Sequence, residues 1–268
     1  MRLLAVVRAP PNVDEAARAL ATASGLALAE ARMRLAPEPP ALLARMEPAR
    51  AEALRVALRK AGLAVVTVPL PCPSDEDRTV AHALTFDRSG VTLAPRLGAP
   101  FSVAWPEVLA ILRGLRLSRT ETAERVRARR FSPGRAVLTG GLKLTRTETS
   151  VVRSSEESVE QVILVYERGG RVAMLSDREL DFSCLGPTMQ PSSTANMAEL
   201  ARRLREGAKG AFYDERLQRL GRRPLPFLSG GESQVQSARV TKTFTDSTGS
   251  LDALAEVMRQ ALLEGLLP

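Results

Sequence analysis

Residues 1–69 are punctuated so closely that they restrict the fold more than any other part of the chain. Leu3, Leu4, Val6 and Val7 form a short β run that Pro10 and Pro11 end. Asn12, with Glu15 three residues on, is a capping-box-like start, because the Asn oxygen can accept from the free N–H groups of a first helical turn. Val13, Ala16, Ala17, Leu20 and Ala23 then recur at helical spacing. Gly25 stands where a left-handed cap residue is expected, and a short helix around Leu28, Ala31 and Leu35 follows the Ser24-Gly25-Leu26 break. Pro37, Pro39 and Pro40 stop it. Pro48 suits a first helical turn, Ala51, Leu54, Leu58 and Ala61 line a third helix, and Gly62 ends it. Leu63 to Val68 is a closing β run. Read residue by residue, the segment is strand, helix, helix, helix, strand, enough for a small domain.

After this unit the pattern changes. Pro69 to Asp77 is proline-rich and then acidic, which predicts an extended connector. Its carboxylates Asp75 and Asp77, like Asp177 and Asp181 further on, read as surface charges. Ala83–Phe86 and Val91–Ala94 flank Asp87-Arg88-Ser89-Gly90, a hairpin signal, and Phe101–Trp105 is a third strand. Gln161–Tyr166 and Arg171–Leu175 flank another turn. Met197, Leu200, Ala201 and Leu204 then mark one face of a helix that Ser192, Ser193 and Thr194 open. Between Arg116 and Glu160 the chain is least like a packed domain and reads as a long hairpin or a mobile excursion. The stretch from Gly221 to Gly249 is rich in Pro, Gly and Ser and reads as loop. Leu251, Ala255, Met258 and Leu262 line one face of a terminal helix, which such helices dock on their own core.

Two resemblances sit on these residues. Ser24-Gly25-Leu26-Ala27-Leu28-Ala29-Glu30-Ala31-Arg32 and Lys60-Ala61-Gly62-Leu63-Ala64-Val65-Val66-Thr67-Val68 resemble the two signatures of the C-terminal domain of the bacterial ribosomal stalk protein. That module recruits translational GTPases, and the resemblance implies a βααβαβ domain. The positions that match its factor-binding helix are Ala17, Arg18 and Ala21, so one basic residue is kept while the apolar anchor and the second basic residue are not. The resemblance thus implies the fold put to another use, with Arg18 and Arg32 as candidate partner-binding residues. In pattern, the short strands, the Trp105-Pro106-Glu107-Val108 corner and the closing helix resemble bacterial pleckstrin-homology-like domains, whose sheet is a scaffold for binding peptides, lipids or other domains. Trp105 is expected as a core anchor.

Composition narrows the chemistry. Of 38 basic residues only four are lysines, Lys60, Lys143, Lys209 and Lys242, so the net charge of +8 reads as the arginine bias of a GC-rich bacterial genome and an ordinary basic surface. The densest basic run, Arg125, Arg127, Arg129, Arg130 and Arg135, is the candidate anion-binding site, with only Phe131 as a nearby ring. Cys72 and Cys184 make neither a disulfide framework nor a zinc site, and a reducing cytoplasm is the expected compartment. The one histidine, His82, supplies at most one member of a triad. Leu228-Ser229-Gly230-Gly231-Glu232 copies the signature of ABC-type ATPases, yet the sequence has no Gly-Lys pair for a phosphate loop. No apolar run approaches the ~20 residues of a membrane span.

The resulting expectation is an α+β protein. A βααβαβ domain spans 1–69 and a connector 70–80. A pleckstrin-homology-like β-rich domain spans 81–220 with an insertion at about 116–160, and a loop and helix fill 221–268. The expected function is a non-catalytic interaction, scaffold or adaptor protein with a protein partner, no cofactor and no metal. The alternative is a basic phosphate-binding protein, for nucleic acid or anionic lipid, that uses the Arg125–Arg135 run.

Overall fold

The computed structural model describes residues 1–131, 145–221, 232–236 and 240–268. The fold is α+β. It begins with β1 (Arg2–Val6), α1 (Val13–Ser24), α2 (Leu28–Leu35), β2 (Ala41–Met46), α3 (Pro48–Lys60) and β3 (Val65–Pro69). The punctuation acts as its chemistry predicts. Asn12 Oδ1 accepts from the Asp14 and Glu15 N–H groups at 3.1 Å each, and Gly25 takes φ 77° while donating to the Ala21 carbonyl. Past α3, Gly62 (φ 82°) donates to Arg59 and Leu63 to Leu58, a Schellman closure. Strand β2 has no counterpart in the residue-by-residue reading. Ala-Leu-Leu-Ala-Arg-Met consists of good helix formers, and its antiparallel pairing with β1, from Arg2↔Met46 to Val6↔Ala41, overrides that preference. The sheet order is β2-β1-β3, all antiparallel.

A larger mixed sheet follows. It uses β4 (Thr79–Phe86), β5 (Gly90–Pro95), β6 (Phe101–Ala104), β7 (Val108–Phe131), β8 (Thr145–Glu167), β9 (Val172–Ser176), β10 (Phe212–Asp214), β11 (Glu232–Gln236) and β12 (Val240–Asp246). The order is β11-β12-β7-β8-β9-β4-β5-β6, with β10 parallel beside β7. The helices of this part are α4 (Ser193–Gly207), α5 (Leu217–Leu220) and α6 (Thr248–Leu263). The stretch expected as loop after Gly221 thus contributes two strands. The β-branched residues Val240, Thr241, Thr243 and Thr245 favour extended backbone, and β7 offers them an edge from Ser118 to Glu124. The Leu228–Gly231 signature copy lies outside the described residues.

Helix α6 is the centre of the molecule. Every residue from Ser250 to Met258 is buried, not only the predicted face. The reason is its place between the two sheets. Leu3, Ala5, Val7, Val66 and Val68 of the first sheet share one core cluster with Leu251, Leu254, Val257 and Met258 of α6. Ala110, Leu112, Val162, Leu164 and Tyr166 of the second sheet close it from the other side. The period-two alternation of strands sends Leu4, Val6 and Val65 the opposite way, onto α1–α3. It likewise sends Ile111, Ile163 and Val165 onto α4. Where α6 lies between them, both sheets are covered on two faces, and one core cluster joins residues from either side of position 69. A helix that is apolar nearly all round belongs in such a site.

Trp105 takes the anchoring role expected of it. Its ring stacks on Phe86 with centroids 6.4 Å apart, and its Nε1 donates to the Asp87 carbonyl at 3.3 Å. Gly207, at the end of α4, lets the chain pass this ring, because an added Cβ would lie 2.6 Å from Trp105 Cζ2. Gly207→Ala is therefore expected to cost about 1–3 kcal/mol by overpacking. Thermal unfolding followed by the emission of this single tryptophan checks it, and an unchanged midpoint and spectrum would contradict the packing argument.

Candidate functional site

The site is an arm and its root. Strands β7 and β8 pair without a break from Ala110↔Tyr166 to Phe131↔Thr145, so the long interruption in the sequence is a hairpin. Residues 132–144, Arg135 among them, lie outside the described residues. At ~3.4 Å per residue the 24 residues of β7 span roughly 80 Å. One strand crosses two environments: residues 162–166 of β8 are buried, and residues 154–159 are all exposed. Strand β9 supports only Val162–Tyr166, and β12 reaches only Glu124. Beyond Glu124 the described ribbon is two-stranded.

A cluster of four charges holds the root. From β7, Arg116 grips Asp75 with two hydrogen bonds, Nη1 to Oδ2 at 2.7 Å and Nη2 to Oδ1 at 2.6 Å. Arg78 donates to Asp252 Oδ1 on α6 at 2.6 Å and to the Pro73 carbonyl at 2.8 Å. Cross-links of 3.3 Å (Arg78 to Asp75) and 3.4 Å (Arg116 to Asp252) join the two pairs. The side chains of Arg78, Arg116 and Asp252 are 1%, 6% and 9% exposed, and Asp75 is 40% exposed. Burial raises the Asp252 carboxyl above its ordinary value against the pull of Arg78 and Arg116. Burial acts the same way on Asp75, but Arg116 and Arg78 outweigh it and hold that carboxyl below its usual range. Around the cluster, Leu117 N–H donates to Ser247 Oγ at 2.8 Å, and Gln161 N–H to Asp177 Oδ1 at 3.1 Å. Both limbs of the arm are thereby fixed to the body.

The expected connector is packed on the body. Residues 70–80 form a packed strap: Leu70 and Cys72 pack on the central core, Ser74 and Asp77 form a capping box, and Asp75 enters the cluster. Asp177 is also drawn inward, and burial raises its carboxyl. Asp181 stays outside and caps a 3-10 turn through Ser183 N–H at 2.9 Å. The residues that matter most here, Arg78, Arg116 and Asp252, were not candidates from the sequence. The available signal was Asp252 and Glu256 inside an otherwise apolar helix.

The remaining candidates are distributed as follows. Arg18 is exposed on α1 and Arg32 on α2, where Arg32 pairs with Asp14 at 2.9 Å, an exposed contact worth about 0–1 kcal/mol. Of the positions matched to the factor-binding helix, Ala17 is fully buried and Ala21 is half-buried against the core beneath α1–α3. Arg125, Arg127, Arg129 and Arg130 occupy β7 opposite Val151, Thr149, Thr147 and Arg146. His82 Nδ1 hydrogen-bonds with the Glu179 carbonyl beside an open groove of about 490 Å3. A second groove, of about 440 Å3, runs past Met1, Arg45, Cys72 and Asp252. The thiol in it is a poor nucleophile, because burial, helped by Glu256 and Asp252, pushes Cys72 up to about 12. Burial raises Cys184 as well. Among the described residues no three His, Cys, Asp or Glu side chains are grouped to hold a metal ion, and no described helix is long and apolar enough to cross a membrane.

Comparison of the chain with family models, with curated proteins and with solved structures returns no match.

Proposed function

We infer that the chain is a non-catalytic adaptor: a rigid body, built around α6, that carries a long β-arm into solvent as its contact element. The observation that carries this reading is the passage of β8 from wholly buried at 162–166 to wholly exposed at 154–159. A sheet segment that covers no core adds nothing to the packing of its own chain. The cluster at the arm's root supports the same reading, since it commits two buried arginines and an aspartate to fixing the arm rather than to an open cavity. Chemistry-bearing groups elsewhere are spent on structure: His82 on a carbonyl, Cys72 and Cys184 on packing. On this reading the first module is a stalk-type arrangement turned to a different protein contact, with Arg18 on its exposed side. The sheet-and-helix body is a pleckstrin-homology-like scaffold.

The test replaces residues 125–151 with a short Gly-rich turn and leaves the β12-supported root in place. Cross-linking in cells is expected to recover partners with the full chain and to lose them with the shortened one, while both unfold at similar temperatures. Recovery of the same partners by both chains would remove the arm from the function. Turnover in a broad hydrolase and transferase panel, abolished by a point change at His82, would replace the adaptor reading with an enzymatic one.

A further inference from the structure

The basicity of the chain is not an even surface property. The described outer part of the arm, residues 124–131 and 145–153, holds six arginines against only Glu124 and Glu148, so four of the eight net positive charges fall within it. The register then divides them between two faces, since alternate residues of a strand, and residues directly opposite in a pair, share one face. Arg125, Arg127, Arg129 and Phe131 fall on one face with Val151, Thr149, Thr147 and Thr145 of β8. Arg153, opposite Ala123, belongs to the same face. From Ala123 to Phe131 that face holds four cations and no acid, the next acid inward being Glu121. On the other face Arg130 and Arg146 are matched by Glu124 and Glu148, and the charge cancels.

We propose that this four-arginine face binds double-stranded DNA through its phosphates. The inference rests on the arm being the contact element and names the chemistry of its partner. Alternate strand residues lie ~6.7 Å apart, so the arginines form a regular row about 20 Å long from Arg125 to Phe131. That row covers more than half of a duplex turn of ~34 Å. A two-stranded ribbon fits the major groove, which is ~12 Å wide. The opposite strand adds Thr145, Thr147 and Thr149, and hydroxyl groups are common phosphate donors. A membrane surface fits less well, because only Phe131 and Val151 on this face are apolar. A single-strand platform fits less well too, because Phe131 is the one ring available for stacking.

The experiment measures binding of the full chain to a 30-base-pair DNA duplex of arbitrary sequence by fluorescence anisotropy. With four phosphates neutralised, affinity is expected to fall on the order of 100-fold between 50 and 200 mM salt. Arg127→Gln with Arg129→Gln is expected to weaken binding by at least ~10-fold and to flatten the salt slope by about two. Arg130→Gln with Arg146→Gln removes the same charge from the balanced face and is expected to change affinity by less than ~3-fold. Equal loss in both pairs overturns the facial assignment. Absence of duplex binding overturns the proposal, whether or not phosphatidylserine vesicles or single-stranded DNA are bound instead. The adaptor reading is judged separately: if the 125–151 replacement loses its cellular partners while the arginine variants leave duplex binding unchanged, the arm remains the contact element and only its partner has been misassigned.

Discussion

Asp252→Ala is expected to lower the stability of the chain by about 3–5 kcal/mol, because it leaves Arg78 buried without its principal carboxylate. Arg78 is 1% exposed, so water cannot replace the lost 2.6 Å contact. The partly exposed Asp75 would then serve two guanidinium groups alone. For a protein of this size each kcal/mol moves the unfolding midpoint by roughly 2–4 °C, so a fall on the order of 10 °C is the expected result. The paired change Arg78→Met with Asp252→Leu separates ionic from steric effects. It removes both charges, keeps comparable volume and leaves the two-fold Arg116–Asp75 grip intact. Most of the lost stability is expected to return, as it does where buried ion pairs are exchanged for apolar ones. A cost below ~1 kcal/mol for the single change would show that the cluster does not fix α6 to the strap. The pH dependence of the two carboxyls runs in opposite directions. Asp75, held low, supports the fold above the unfolded carboxylate value of ~4, and this support is lost as pH falls through its lowered value. Asp252, held high, favours the fold at low pH, and that contribution is lost as pH rises through its raised value.

Leu251→Ala is expected to cost about 3 kcal/mol, within the range for emptying a fully buried leucine site. The site is defined by two glycines. A Cβ on Gly114 of β7 would overlap Leu251 Cδ1, and one on Gly221 would come within 2.9 Å of the same atom. The leucine fills the hollow that these two positions leave between β7 and the end of α5. Gly114→Ala alone is expected to destabilise by about 1–3 kcal/mol through overpacking. In the Leu251→Ala background the same change fills part of the cavity, so the double variant is expected to be at least ~1 kcal/mol more stable than additivity allows. Urea unfolding of the four proteins measures this, and strict additivity would refute the fit between α6 and β7.

The parts that were legible share a local cause. Asn12, Gly25, Gly62 and Pro48 fix helix ends through backbone groups within a few residues, so sequence alone places them. Strands β4, β5, β6 and β9 and the Gln161–Tyr166 end of β8 announce themselves by alternation and by turns such as Asp87–Gly90, whereas the long β7 does not. Strand β2 has a place in the βααβαβ order but escaped the residue-by-residue reading, because Ala41–Met46 has helical preference and only its edge position beside β1 makes it extended. The candidate site was hidden for a related reason. Arg78, Arg116 and Asp252 are 38 and 136 residues apart in sequence order, and nothing about an arginine beside a proline-rich stretch tells that it will be buried.

The sequence by itself determined the capped helices, several of the short strands with their turns, and the arginine-rich run, because each depends on neighbours along the chain. The tertiary structure decided that α6 is a central helix rather than a terminal one and that the connector is a strap. It also decided that Arg125, Arg127, Arg129 and Arg130 lie on one strand of an arm with a charged face and a balanced face. Those outcomes depend on which distant strand lies opposite which residue. A register of β7 against β8 offset by a single residue would place a different set of β8 residues, and a different charge balance, across from Arg125, Arg127 and Arg129.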